Sequence, residues 1–267
     1  AGMAIRELRD RFRDDLFKRY LPFFLAHMVD RERGGFIAYT ELDGSPRPPD
    51  TRTPWWLGRG IWTVSHLYAN LDKKSDYLDI GKAAAEILVK NRPEGDNRWP
   101  ASFDRDGKPS SAPAPDLYHD MFAAEGLAEF GRATGDGRYR ALAKETILKC
   151  VRIYDRPDFS YAVTYGPKDV TAIPGARILP HWMVLLTASH AMLSHAPDSE
   201  MEALARRAAD AVMDGHMHPD YHLLNEVRNR DFSIPQGPFS RFSYTGHAYE
   251  TLWMIMREAA RKKDPAL

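Results

Sequence analysis

Apolar positions along the chain fall into two helical patterns that alternate. From Asp76 onward, Tyr77, Ile80, Ala84, Ile87 and Leu88 share one face. After Arg138 the matching set is Tyr139, Leu142, Ala143, Thr146 and Cys150, and after Ser199 it is Met201, Leu204, Ala205, Ala208 and Val212. A 3.6-residue period predicts helices with one dry and one wet side. The stretches ahead of them differ: residues 55–71, 116–130, 178–193 and 244–256 are apolar around most of their circumference. Such helices are predicted to be buried on all sides.

This alternation predicts two concentric layers, with buried helices inside and one-sided helices outside. A polar turn carrying Asp joins each inner helix to its outer partner, at Asp76, Asp136, Asp198 and Asp264, spaced 60, 62 and 66 residues apart. The chain therefore reads as an array of helical hairpins whose acidic residues serve as N-caps. At least seven helices and no large sheet are expected. A charged helical stretch over residues 6–31, with Leu16, Tyr20, Phe23 and Phe24, precedes the array. Gly34 to Tyr39 with Asp43-Gly44, and residues 223–234, read as short hairpins or irregular loops. No linker divides the chain, so one α/α domain over residues 1–267 is expected. Leu267 follows Asp264 where a fourth outer helix would begin. The expectation is an incomplete ring of about four hairpins, whose last inner helix bares an apolar flank that invites a second copy, as in a homodimer.

Composition narrows the function. Apolar residues make up 43% of 267, an ordinary share for a globular protein. The 37 basic and 37 acidic residues cancel, so no bulk field attracts nucleic acid or an anionic membrane. No apolar run reaches the length of a membrane span. The only cysteine, Cys150, allows no intrachain disulfide, which suggests a reducing, cytoplasmic setting; its place on an apolar face suggests packing. Ala1-Gly2-Met3 lacks the apolar core of a signal peptide. No phosphate-cradling or dinucleotide glycine pattern is present.

Charge on an all-round apolar helix needs a reason, because an unpaired buried charge is costly. Arg59, Asp116, Asp120, His181, His247 and Glu250 sit near the amino-terminal ends of inner helices. If those helices run parallel, the residues gather at one mouth of the barrel, a pattern that marks a site.

Several segments then resemble one family in its order. Gly246-His247-Ala248-Tyr249-Glu250-Thr251-Leu252-Trp253 is similar to the Gly-His-x-x-Glu-x-x-Trp element of the N-acylglucosamine 2-epimerase family, and Leu224-Asn225-Glu226-Val227 resembles its acidic loop. Gly58-Arg59-Gly60-Ile61-Trp62 and Gly34-Gly35-Phe36 resemble two earlier elements, and the turns at 103–107 and 131–136 are similar to family turns. The resemblance implies an all-α (α/α)6 toroid and 2-epimerisation of a small-molecule sugar, or the related aldose–ketose isomerisation, with no cofactor and no metal. Both reactions remove the acidic proton beside the carbonyl of an opened sugar. Imidazole suits this step because its ordinary pKa of about 6.5 lets it give and take protons near neutrality. His247 would be the catalytic base and Glu250, one turn along, would orient it. Arg59 would hold a sugar oxygen, Glu226 would bind or orient a hydroxyl, and His181 and Trp55 would complete the substrate site. Inversion needs proton exchange at both faces, and the family supplies a second His from its last inner helix, to which nothing in these 267 residues corresponds.

Three other readings stay open. His216, His218, His222 and Glu226 have spacings for a metal if helical, although Pro219-Asp220 argues for a turn. A six-hairpin glycoside hydrolase would need paired acids, such as Asp116 with Asp120 or Glu226 with Glu250. A catalytically incomplete member could bind carbohydrate or protein through Trp55, Trp56 and Trp99, whereas Trp62 and Trp253 read as packing.

Overall fold

In a computed structural model the described residues are 2–48, 51–163, 165–166 and 173–264. They contain nine α-helices: α1 (Ile5–Asp15), α2 (Leu21–His27), α3 (Pro54–Asn70), α4 (Ser75–Lys90), α5 (Tyr118–Thr134), α6 (Gly137–Tyr154), α7 (Leu179–Leu193), α8 (Ser199–Asp210) and α9 (Thr245–Lys262). One π-helical turn, Leu16–Tyr20, joins α1 to α2, and another, Ala211–His216, extends α8. The single sheet described is a two-residue antiparallel ladder of β1 (Arg177–Ile178) with β2 (Val227–Arg228).

Helices α3, α5, α7 and α9 form the inner layer and pack serially, each with the next, while α4, α6 and α8 lie outside against α3, α5 and α7. Between α3 and α9 there is no comparable packing among the described residues, so the inner helices form an open arc. Helix α7 shows the inner character most fully: thirteen of its fifteen residues are buried. Helix α9 buries only Thr251, Met254, Ile255 and Glu258 and leaves Tyr249, Trp253 and Met256 exposed. One contiguous apolar core runs from Leu21 to Ile255, and Cys150 is buried within it.

Two backbone approaches hold the layer together. A Cβ on Gly58 would lie 2.1 Å from the Phe122 carbonyl oxygen, and one on Gly126 would lie 2.2 Å from that of Gly58. Helices α3 and α5 therefore cross in direct backbone contact, which brings Arg59 and Phe122 face to face. Gly60 receives the ring of Phe36, whose edge would stand 2.4 Å from an added Cβ. The Gly34-Gly35-Phe36 loop is thereby fastened to the inner helix. Its base is a buried ion pair, with Arg52 Nη2 donating to Asp30 Oδ2 at 2.6 Å and Arg105 Nε adding a bond of 2.8 Å. Burial alone would raise the Asp30 carboxyl. Hydrogen bonds from Arg105 and the Arg33 amide, with the charges of Arg52 and Arg105, hold it below its ordinary value.

The acidic turns do not all act as caps. Asp136 accepts from the Arg138 amide, and Asp198 from those of Glu200 and Met201. Asp76 lies inside the first turn of α4, where Arg31 binds both its oxygens at 2.8 and 2.9 Å. Asp264 follows the left-handed Lys263 that ends α9, and the residues after it lie outside the described set.

Candidate active site

The site begins with the backbone around Glu226. Register in the β1–β2 ladder places this residue beside the start of α7, where the Leu179 amide donates to its carbonyl at 2.9 Å. Its own amide donates to the Phe242 carbonyl at 2.8 Å, so the loop is pinned from two directions. The Glu226 side chain is fully buried. Its Oε1 accepts from His247 Nδ1 at 2.7 Å and from the Tyr165 hydroxyl at 2.6 Å, while Oε2 has no partner. A carboxylate accepts only, so the imidazole proton lies on Nδ1 and the lone pair on Nε2. Burial, followed by the charge of Glu226, pushes the Tyr165 phenol far above its ordinary value and keeps it a neutral donor.

His247 stands in the first turn of α9, with Tyr244 and Tyr165 against its ring at centroid distances of 4.6 and 5.4 Å. It lines a cavity of about 380 Å³ between the four inner helices, together with Arg59, Glu250 and Trp55. The Arg59 guanidinium lies 4.9 Å from the centre of the Phe122 ring and makes no salt bridge among the described residues. An unpaired cation on a cavity wall is suited to a developing oxyanion. Trp55 stacks on Phe122 at 5.1 Å.

The structure thus gathers His247, Arg59, Glu226, Glu250 and Trp55, but it distributes the contacts differently from the sequence reading. The acid on His247 is Glu226, twenty-one residues away. Glu250 is exposed at the cavity and makes no hydrogen bond among the described residues. His181 does not reach the cavity wall. It is fully buried, stacked on Tyr118 at 4.6 Å with Tyr154, Phe159 and Tyr161 around it, and neither ring nitrogen has a partner. Burial pushes it down to about 3, so it packs as a neutral ring. Trp99 is a core residue whose Nε1 donates to the Leu88 carbonyl, whereas Trp62 and Trp253, read as packing, both line the cavity.

The competing constellations have other uses. His216 Nδ1 bonds the Asn225 carbonyl at 2.6 Å, His218 stacks on Tyr221, and His222 sits at a positive φ directly after the turn at 219–221. Asp120 is buried against Lys149 Nζ at 2.8 Å and caps the Trp99 amide, so it is no free partner for Asp116. Asp116 itself accepts from the Tyr118 amide and lies 3.1 Å from His119 Nδ1. Sequence reasoning missed Glu125, which lines the cavity from α5, and Tyr165. An acid set between Ala124 and Gly126 on an apolar helix is the signal that could have found Glu125.

Comparison with known proteins agrees with this architecture. A model of the N-acylglucosamine 2-epimerase (GlcNAc 2-epimerase) family matches residues 34–267. The N-acylglucosamine 2-epimerase of Bos taurus is 26% identical over 271 residues, covering 99% of this chain and 62% of that protein. Cellobiose 2-epimerase of Bacteroides fragilis is 29% identical over 151 residues, 55% of this chain and 36% of that protein. In structure, the cellobiose 2-epimerase of Spirochaeta thermophila superposes with a TM-score of 0.80 at 21% identity, covering 98% of this chain and 66% of that one. The chain spans about three fifths of the length of the mammalian relatives it matches. The cavity, the His247–Glu226 pair and a family match over most of the sequence lead to one assignment: the chain belongs to the N-acylglucosamine 2-epimerase family.

Proposed function

We propose that the protein is a carbohydrate 2-epimerase acting on an N-acylated glucosamine, with His247 as the base that removes the C2 proton. The observation that carries this reading is the 2.7 Å bond from His247 Nδ1 to the buried Glu226, which leaves Nε2 as the free nitrogen of a ring on the cavity wall. In the opened sugar the C2–H bond lies beside the C1 aldehyde. His247 Nε2 takes the proton, the C–H pair becomes the C1–C2 double bond, and the carbonyl pair moves to the oxygen as an enolate. Glu226 stabilises the imidazolium that forms, and Arg59 stabilises the enolate oxygen. Return of a proton to the opposite face of C2 restores the aldehyde with inverted configuration.

The N-acyl substrate rests on the match to the Bos taurus protein, which extends over 99% of this chain. Return of the proton to the opposite face calls for a second carrier. Aldose–ketose isomerisation is the second reading, favoured by one observation: His247 is the single histidine on the described cavity wall. A single base can carry a proton from C2 to C1 on one face if the substrate bears a C2 hydroxyl. We extend the proposal to one α/α-barrel domain in a cytoplasmic homodimer, supported by the buried free thiol of Cys150 and the exposed apolar flank of α9. Among the described residues no helix is long and apolar enough to cross a membrane.

The test is proton exchange at C2 of N-acetylmannosamine in deuterated buffer, followed by proton NMR. His247→Ala should lose exchange by several orders of magnitude while still binding sugar. Exchange at the wild-type rate in that variant would exclude His247 as the base.

A further inference from the structure

Glu125 is an ionisable group of this cavity that the mechanism above does not use. It projects from the second turn of α5, one turn beyond Phe122, whose ring carries the Arg59 guanidinium. The other two carboxylates of α5 are each neutralised by a close partner. Glu129, one turn further along α5, is held by Arg132 at 2.5 and 2.8 Å and lies 3.4 Å from His66. Asp120, two residues before Phe122, has Lys149 at 2.8 Å. Glu125 has no salt bridge within 4 Å among the described residues. Its hydrogen-bond partner is Thr187 of α7, whose hydroxyl stands within donor distance of the Met183 and Val184 carbonyls at 3.2 and 3.1 Å. A hydroxyl has one proton to give. Shared with its own helix carbonyls, that proton only partly offsets the cost of burying a Glu125 carboxylate.

We propose that Glu125 is a substrate-reading residue, present as the neutral acid, that hydrogen-bonds an oxygen of the bound sugar from the wall formed by α5 and α7. The inference rests on the functional reading above and deepens it, because it assigns the cavity a polar anchor separate from the His247–Glu226 pair. A neutral carboxyl both donates and accepts, which matches a sugar hydroxyl or the amide oxygen of an N-acyl group. The electrostatics agree. Burial raises the carboxyl from 4.5 to about 7; Arg59 and Arg257 pull it down, Thr187 also lowers it, and Glu129 pushes it up. His247, Glu250 and the phenols Tyr118, Tyr161 and Tyr165 are the other charged or titratable groups on the cavity wall.

Two measurements test it. The first needs no ligand. A group whose folded pKa is raised binds an extra proton when folded, so its ionisation weakens the fold as pH climbs from about 4.5 to about 7 and the loss is complete above that. Glu125→Gln, which cannot ionise, should gain thermal stability relative to wild type as pH rises from 5 to 8; a constant difference would overturn the neutral acid. The second titrates N-acetylglucosamine into the full-length protein by calorimetry between pH 5.5 and 8.5. Wild-type Kd should be flat at the acid end and rise above about pH 7, by up to about tenfold per unit. Glu125→Ala should weaken binding about tenfold at pH 6 and flatten the profile, and Glu125→Gln should recover most of the affinity without the pH dependence. Equal Kd values and pH profiles in wild type and Glu125→Ala would refute the assignment. Deuterium exchange at C2 in the wild type judges the functional reading separately. If Glu125→Gln bound sugar normally but lost exchange, Glu125 would be a proton carrier and the substrate-reading role would be wrong.

Discussion

Replacing Glu226 by glutamine keeps the outline of the side chain and removes its charge, which isolates what the carboxylate contributes to His247. Its Oε1 receives the His247 Nδ1 proton at 2.7 Å and the Tyr165 hydroxyl at 2.6 Å, inside a fully buried environment. A hydrogen bond involving a charged group contributes about 1.5–3 kcal/mol, against about 0.5–1.5 kcal/mol for a neutral one. The bond to His247 becomes charge-assisted on both sides only when the imidazole has taken the substrate proton. Losing the charge should therefore remove about 1–2 kcal/mol from the transition state, a fall of about 5- to 30-fold in kcat at 25 °C. Binding of sugar should change less, because Arg59 and Trp55 line the cavity without contacting Glu226. The assay is the initial rate of C2 deuterium incorporation, measured on a variant whose circular dichroism and melting temperature show it folded. A folded Glu226→Gln protein exchanging within twofold of wild type would refute the claim that this carboxylate supports the base.

Other outcomes follow from the packing and ion pairs. Gly126→Ala would set a methyl group 2.2 Å from the Gly58 carbonyl oxygen, where the obstacle is backbone and has no side chain to move. Overpacking of this kind costs about 1–3 kcal/mol, so the melting temperature should fall by several degrees, and an unchanged value would show that α3 and α5 do not cross in contact. Asp30 has a lowered carboxyl pKa, so its stabilisation is present above its unfolded value near 3.8 and is lost as pH falls through the folded value. Asp30→Asn should lower the urea midpoint at pH 7, with the deficit shrinking below about pH 4; a pH-independent deficit would argue against the ion pair as its source.

The layered fold is legible in the sequence because apolar residues around a whole helix leave no face for water. The predicted start of α7 lies one residue from the observed one, and Asp136 and Asp198 are caps because each precedes its helix directly. Asp76 shows where local reading fails, since its partner Arg31 is forty-five residues away and draws it off the cap. Helix α9 fails for a related reason. Its apolar residues predict burial on all sides, yet in the open arc nothing described covers Tyr249, Trp253 or Met256. At the site, a histidine one turn into an apolar helix is conspicuous, so His247 stands out. Its acid partner is not, because spacing on one helix favours Glu250, whereas the contact to Glu226 depends on a loop fixed by β1–β2 pairing. His181 shares with His247 a place near the amino-terminal end of an inner helix but lies in no family-like element, and its enclosure by Tyr118, Tyr154, Phe159 and Tyr161 keeps it out of the cavity.

The most direct test of the account is to incubate the full-length wild-type protein with N-acetylmannosamine in deuterated buffer and follow C2 by proton NMR. The account expects the C2 proton signal to fade as deuterium enters that carbon, with the gluco epimer appearing alongside and both events abolished by His247→Ala. Conversion without deuterium at C2, or exchange that survives in the His247→Ala protein, would contradict it.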